Sequence, residues 1–178
     1  MNHSEMVALI RGGVSSTGRA WADLGAGTGN FTRALRDLLP TDATIYAVDR
    51  DARAIAKQHE IAATLVPGAT IVPVQADVTT LLALPPLDGV LMANLLHFVR
   101  DQPALLSQVH TMITPNGTLL VVEYDAVQRG PWLPYPIGSI RFTPLVVAAG
   151  FTEPRVIAMR RSPSSGRVMY AAMAQRPL

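Results

Sequence analysis

The chain has 178 residues, no cysteine, a formal net charge of +2, and 49% hydrophobic against 16% charged residues, which describes a chain with a full core and not a disordered one. The missing thiols exclude disulfides and any cysteine nucleophile, methylation at C5 of a pyrimidine included. No apolar run approaches the roughly 18 residues of a membrane span, the N-terminus carries Glu5 and lacks the order of a signal peptide, and Arg160-Arg161 is the longest basic run, so the reading is cytoplasmic, with no membrane partner and no nucleic-acid face.

In chain order, residues 6–10 read as a short helix stopped by Gly12-Gly13, and residues 19–24 as a short apolar strand. Residues 28–39 are helical, with Phe31, Ala34, Leu35, Leu38 and Leu39 on one stripe and Pro40 as the stop. A strand over 44–48 ends at Asp49; an alanine-rich helix covers 52–63; a strand over 70–74 has Asp77 just beyond it; a fourth strand covers 89–93. Residues 102–113 form a helix capped by Asp101, with Leu105, Leu106, Val109, Met112 and Ile113 along its buried face. Pro115-Asn116-Gly117 is a turn, and 118–122 an uninterrupted apolar strand. Residues 129–137, with three prolines, Trp132 and Tyr135, read as an irregular loop. Thr143-Pro144 starts a helix closed by Gly150. Two strands, 154–159 and 168–174, flank a polar hairpin loop over 160–166.

Strand and helix alternate five times, and the strands are continuous apolar runs. This predicts an α/β fold: a Rossmann-like, doubly wound sheet of seven strands, mostly parallel, with one antiparallel strand near the C-terminus. One domain over 1–178 is expected, divided into an N-terminal helix on the substrate side (1–18), a cofactor-binding core (19–125), and a substrate loop, last helix and strand pair (126–178). Ligands in such sheets bind at the carboxyl ends of the strands, where strand order reverses.

The stretch "WADLGAGTGNFTRAL" places Gly25, Gly27 and Gly29 between a strand and a helix, where a tight turn lets backbone approach a ligand. The spacing is G-x-G-x-G, with Asn30 where a dinucleotide fingerprint wants its third glycine, and no Gly-Lys-Ser/Thr of a P-loop is present. Across residues 20–125, "ADLGAGTGNFT", "YAVDRD", "VQADVTTL", "LDGVLMANLLHFV" and "LLSQVHTMITPNGTLLVVEYD" follow one another as the motifs of one family do. The chain resembles class I S-adenosylmethionine-dependent methyltransferases of the small-molecule type. It departs from them at Thr114-Pro115-Asn116-Gly117, where the family has lysine-proline-glycine-glycine; asparagine tolerates the left-handed backbone, so the turn should survive.

The resemblance implies S-adenosylmethionine as cofactor, S-adenosylhomocysteine as product, and no metal. By position, Gly25, Ala26, Gly27, Gly29 and Asn30 would pack against the methionine part and ribose. Asp23 would accept from the ligand's ammonium, Asp49 from both ribose hydroxyls, with Arg50 beside it. Ala76, Asp77 and Val78 would hold the adenine, and Asn94 would lie by the transferring methyl. His97, three residues on, is either a base on the rim of the methyl site or a partly buried histidine that caps a turn. Trp132 and Tyr135 would line a substrate pocket, or pack a proline-stiffened loop on its own core, with Arg129 or Arg141 facing an anion.

The family's enzymes for base amines in nucleic acid carry two prolines and an aromatic after the Asn94 position; here Leu95-Leu96-His97 follow, which disfavours that acceptor. Asn94, Glu123 and Asp125 lack the spacing of a metal-assisted catechol site. The chain is short for the family and carries no long lid. Either the site is open and its substrate large, or a second subunit, in the simplest case a homodimer partner, closes it. The expected function is methyl transfer to a small-molecule acceptor; the rivals are a non-catalytic cofactor-binding scaffold and a short NAD(P)-dependent reductase.

Overall fold

The computed structural model describes residues 1–178 except 16, 66 and 164. Helix α1 (His3–Ile10) begins earlier than its apolar pattern because Asn2 and Glu5 form a reciprocal capping box, which satisfies amides that would otherwise be orphaned. Strand β1 (Ala20–Leu24) leads into α2 (Asn30–Arg36), β2 (Thr44–Asp49), α3 (Ala52–Thr64), β3 (Thr70–Gln75) and β4 (Leu87–Ala93). A single 3-10 turn over Leu96–Phe98 precedes α4 (Gln102–Met112), whose N-cap is Asp101 as expected. Then come β5 (Ile113–Tyr124), α5 (Ser139–Ala148), β6 (Arg155–Arg161) and β7 (Val168–Gln175).

The seven strands lie in the order β3-β2-β1-β4-β5-β7-β6. All pairs from β3 to β5 are parallel; β7 runs antiparallel to both β5 and β6, so one strand is reversed. Each face of the sheet is covered. On one side Leu106 and Val109 of α4 and Phe142 and Val146 of α5 pack on Val90, Met92, Leu119 and Val121; on the other, Leu9 and Ile10 of α1 and Leu35 of α2 pack on Ile45, Leu91 and Leu120. Alternate residues of β4 and β5 thus feed opposite layers, which is why both strands read as unbroken apolar runs.

Three expectations are corrected. Pro115-Asn116-Gly117 does not separate α4 from β5 but bulges within β5: residues 114–117 stand opposite Asp88 alone, between the pairs Leu87–Ile113 and Gly89–Thr118. Asn116 takes the left-handed φ of 64°, and its amide and the Gly117 carbonyl bond the backbone of Arg176, so the bulge is anchored. Helix α5 starts at Ser139, not at Thr143, and Pro144 sits in its interior without an amide to donate. The start is fixed from afar: Asp125 Oδ1 accepts from the Ser139 amide at 2.8 Å, a cap no local pattern reveals. Strand β6 runs on to Arg161, two residues past its expected end, which shortens the hairpin loop, while β7 starts where expected and gains Gln175 at its far end; residue 164 of that loop lies outside the described residues.

Candidate active site at the β1–β4 switch point

Strands β1 and β4 are neighbours, but the chain leaves β1 toward β2 and leaves β4 toward β5, on opposite sides. The two connections diverge and open a crevice at the carboxyl ends of both strands. Two cavities occupy it, of about 460 and 330 Å³, and Gly25 and Asn94 belong to the walls of both.

The glycine turn is bent back on the sheet: the amides of Gly25 and Ala26 both donate to the Val48 carbonyl at 2.9 Å. Gly25 and Gly27 have φ of 72° and 54°, values that strain most residues with a side chain. A Cβ on Gly25 would stand 2.7 Å from Leu95 Cδ1 and 3.2 Å from Leu95 Cβ, so Leu95 would have to move, whereas a Cβ on Gly27 would meet nothing within 4 Å and would project into open space. Gly29 is not among the residues lining these two cavities; its φ of 82° turns the chain into α2.

Asp23 is 1% exposed at the end of β1, and Thr32 Oγ1, one turn into α2, donates to its Oδ2 at 2.7 Å. Burial pushes its carboxyl up to about 7, against the Thr32 hydrogen bond, and the nearby Asp49 adds to the rise. A buried carboxylate near neutrality favours a cationic partner. Asp23, Ala26, Gly27 and Asn30 line the larger cavity with Asn94.

Asp49, Arg50, Ala76, Asp77 and Val78 line the smaller one, as the sequence leads one to expect. Asp49 Oδ2 accepts from the Gly27 amide at 2.8 Å and Oδ1 from Asp51 at 2.9 Å, which locks the carboxylate while leaving each oxygen a lone pair. Asp77 Oδ1 accepts from the Thr79 hydroxyl and amide, which hold its carboxyl below the usual range; Oδ2 has no partner among the described residues. Asp77 therefore closes a turn and also presents a free oxygen. Sequence reasoning missed Phe98, Leu95 and Arg100 in the same walls. Phe98, 55% exposed, could have been flagged as the aromatic inside "LDGVLMANLLHFV".

Asn94 follows β4 with φ of 56°, and its Oδ1 is buried with no hydrogen-bond partner. His97 is 3% exposed and belongs to the walls of neither cavity. Its Nδ1 pairs with Glu123 Oε2 at 2.6 Å, and its amide reaches Glu123 Oε1 at 3.3 Å. The Tyr135 amide donates to the His97 carbonyl, and Gln102 Nε2 donates to the carbonyls of Leu96 and Tyr135. The turn after β4 is therefore pinned from β5, α4 and the 129–137 loop. Only Glu123, a carboxylate inside "VVEY", gave a signal for this in the sequence.

The substrate residues separate. Trp132 is 83% exposed and lines a third cavity of about 430 Å³ that shares Tyr124 with the larger one. Tyr135 does not line it; its ring carries the Arg129 guanidinium at 5.6 Å. Arg141 donates to the Pro136 carbonyl at 3.0 Å. Arg167 lines the third cavity. The oxygens weighed as metal ligands do not converge: Glu123 faces His97, and Asp125 caps Ser139. Met1, Met6, Ser162 and Pro163 contribute a wall of the larger cavity, with Arg160 on β6 paired to Glu5 on α1 at 2.7 Å. Among the described residues no helix is long and apolar enough to cross a membrane.

A parallel sheet with its penultimate position reversed, a glycine turn after β1, and carboxylates ending β1 and β2 form the architecture of class I S-adenosylmethionine-dependent methyltransferases. The model of the methyltransferase domain matches residues 22–119, more than half of the chain, and the chain belongs to that family. No curated protein matches it. Among solved structures it is similar to the N-methyltransferase NodS from Bradyrhizobium japonicum WM9 in complex with S-adenosyl-L-homocysteine (TM-score 0.76, 17% identity, 99% of this chain and 86% of that one). It is also similar to magnesium protoporphyrin IX methyltransferase from Synechocystis PCC 6803 with bound S-adenosylmethionine (0.73, 16%, 98% and 77%). A third is the arsenic(III) S-adenosylmethionine methyltransferase from Chlamydomonas reinhardtii (0.73, 16%, 99% and 73%). Family membership sets the reductase reading aside.

Proposed function

We propose that this chain binds S-adenosylmethionine across the two cavities that meet at Gly25 and Asn94 and transfers its methyl group to a small-molecule acceptor. The observation that carries this reading is Asn94 Oδ1, a buried acceptor without a partner on the wall common to both cavities. An orphaned acceptor costs about 1–3 kcal/mol, and an ammonium donor would offset that cost. The residues present fit such a ligand: Asn94 and Asp23 at the ammonium, Asp49 at the ribose hydroxyls, Asp77 Oδ2 at the adenine amino group, and Val78 and Phe98 at the adenine faces.

The donor supplies a methyl group already activated on a sulfonium. The chain's task is to hold the acceptor in line and keep water out. The larger cavity is walled by one carboxylate, Asp23, and by no histidine or lysine among the described residues. That favours an acceptor nucleophilic without a strong base, such as an amine, a carboxylate or an acidic phenol. Of the two roles open to His97, its burial and its bond to Glu123 favour positioning: it holds the turn that carries Asn94.

The test is turnover. Protein is incubated with methyl-labelled S-adenosylmethionine and a panel of amines, aromatic acids and phenols, and S-adenosylhomocysteine is followed. Acceptor-dependent product supports the reading. Cofactor binding without turnover across the panel supports the scaffold instead.

A further inference from the structure

We propose that the third cavity, between Tyr124, Trp132 and Arg167, is the acceptor's subsite and that it takes a planar aromatic acid, its ring on Trp132 and its carboxylate on Arg167. This rests on the methyl-transfer reading above and names the substrate class for it.

Continuity is the first argument. Tyr124, the last residue of β5, is a wall of both the third cavity and the larger cofactor-side cavity, so the two adjoin at that residue. The turn after β6 serves both as well, through Ser162 and Pro163 on one side and Ser165 and Arg167 on the other. A volume of about 430 Å³ is within the range that encloses small molecules.

The presentation of Trp132 is the second. An indole 83% exposed on a loose loop would say little, but this loop is fixed. Gly130 and Leu133 exchange two backbone hydrogen bonds, of 3.1 and 3.0 Å, across the tight turn that carries Trp132. Leu133 is buried beside it, and the Tyr135 amide ties the following residues to the carbonyl of His97. The chain is thus held in a shape that keeps a large apolar ring in water at the mouth of a cavity. Such a ring gains most from a flat ligand stacked on it.

Charge is the third. The cavity walls hold no carboxylate, and the one ionised group among them is Arg167, whose guanidinium makes neither an ion pair nor a hydrogen bond among the described residues. Gln128 adds a neutral amide. A guanidinium without an acid matches a planar carboxylate by two parallel hydrogen bonds.

Trp132 itself reports the experiment. The chain has two tryptophans, one fully buried (Trp21) and one exposed (Trp132), so quenching of the red, water-exposed emission follows Trp132. The probes are 4-hydroxybenzoate and indole-3-carboxylate, with 4-hydroxybenzamide and indole-3-carboxamide as neutral counterparts. The variants are R167Q, read by fluorescence, and W132A, read by saturation-transfer NMR. Both remove exposed side chains and leave the core intact. Calorimetric titration with S-adenosylhomocysteine is run on every protein. The proposal expects saturable quenching by the acids and not by the amides, binding at least about tenfold weaker in R167Q and in W132A, and unchanged S-adenosylhomocysteine affinity. Equal binding of acids and amides, an unaffected R167Q, or no saturation by either acid while S-adenosylhomocysteine still binds overturns it and leaves the methyl-transfer reading standing. If S-adenosylhomocysteine does not bind, the methyl-transfer reading falls, and an acid-specific quench then marks a binding cavity with no methyl donor, which overturns the acceptor role.

Discussion

Gly27 and Asp49 are joined by one hydrogen bond, from the Gly27 amide to Asp49 Oδ2 at 2.8 Å, which ties the turn after β1 to the end of β2. The same carboxylate accepts the Asp51 amide, so its orientation is set before any ligand arrives. Asp49→Ala therefore removes both the acceptor proposed for the ribose and the tether of the turn. Affinity for S-adenosylhomocysteine should fall by roughly a hundredfold, the equivalent of two charge-assisted hydrogen bonds. Asp49→Asn, which keeps one acceptor oxygen, should lose less. Titration calorimetry checks both, and an Asp49→Ala protein with unchanged affinity would remove Asp49 from the ligand's contacts.

The two turn glycines predict opposite failures. Gly25→Ala drives a methyl toward Leu95 Cδ1 at 2.7 Å and at a φ of 72°, so it should lower the midpoint of thermal unfolding, by the equivalent of about 2 kcal/mol. Gly27→Ala carries the backbone strain but no clash, and its methyl projects into open space. It should lose about 1 kcal/mol of stability and, disproportionately, affinity for S-adenosylhomocysteine. Thermal unfolding and calorimetry on the pair separate the two effects.

Asp23 predicts a proton. Its carboxyl is raised to about 7 by burial, so the unliganded fold favours the neutral form. For an acid whose folded value lies above its unfolded value near 4, the stabilisation is present below about pH 4 and is lost as pH rises through about 7. Relative to Asp23→Asn, the unliganded protein should lose stability across that window. An ammonium beside Asp23 favours its ionised form, so binding S-adenosylhomocysteine at pH 7 should release a fraction of a proton. Titrations in buffers of different ionisation enthalpy would show this as a buffer-dependent heat, absent in Asp23→Asn. A buffer-independent heat in the parent protein would contradict it.

His97 and Glu123 share a 2.6 Å contact with neither side chain more than 3% exposed. Glu123→Ala leaves the His97 ring and amide without their partner and should cost about 3 kcal/mol in denaturant unfolding. If His97 only positions the turn, His97→Gln should weaken S-adenosylhomocysteine binding and turnover together. Turnover lost at full affinity would assign it to the chemistry instead.

Much of this was legible in residue order. The alternation of apolar runs with helical stripes sets the sheet, and its reversed strand follows from two strands joined by a short loop. Asp49, Asp77, Val78 and Asn94 come together because each stands at the end of a strand, and strand ends converge at the switch point. The rest depends on contacts between distant segments. Asp125 begins α5 by capping Ser139, 14 residues on, which overrides the signal of Pro144. Thr32 reaches Asp23 only because α2 folds back over β1, and Glu123 meets His97 only because β4 and β5 are paired.

The central claim is that the crevice at Gly25 and Asn94 holds an adenosyl-amino-acid ligand. The measurement that tests it most directly is calorimetric titration of the purified protein with S-adenosylhomocysteine, with NADPH in parallel, on the parent chain and on Asn94→Leu. Leucine keeps the branch at Cγ but offers no acceptor, and thermal unfolding of the variant separates lost binding from backbone strain at the φ of 56°. The account predicts a dissociation constant on the order of micromolar for S-adenosylhomocysteine, weakened at least about tenfold in Asn94→Leu, and no heat with NADPH. Binding of NADPH instead, or no S-adenosylhomocysteine binding by a folded protein, would contradict it.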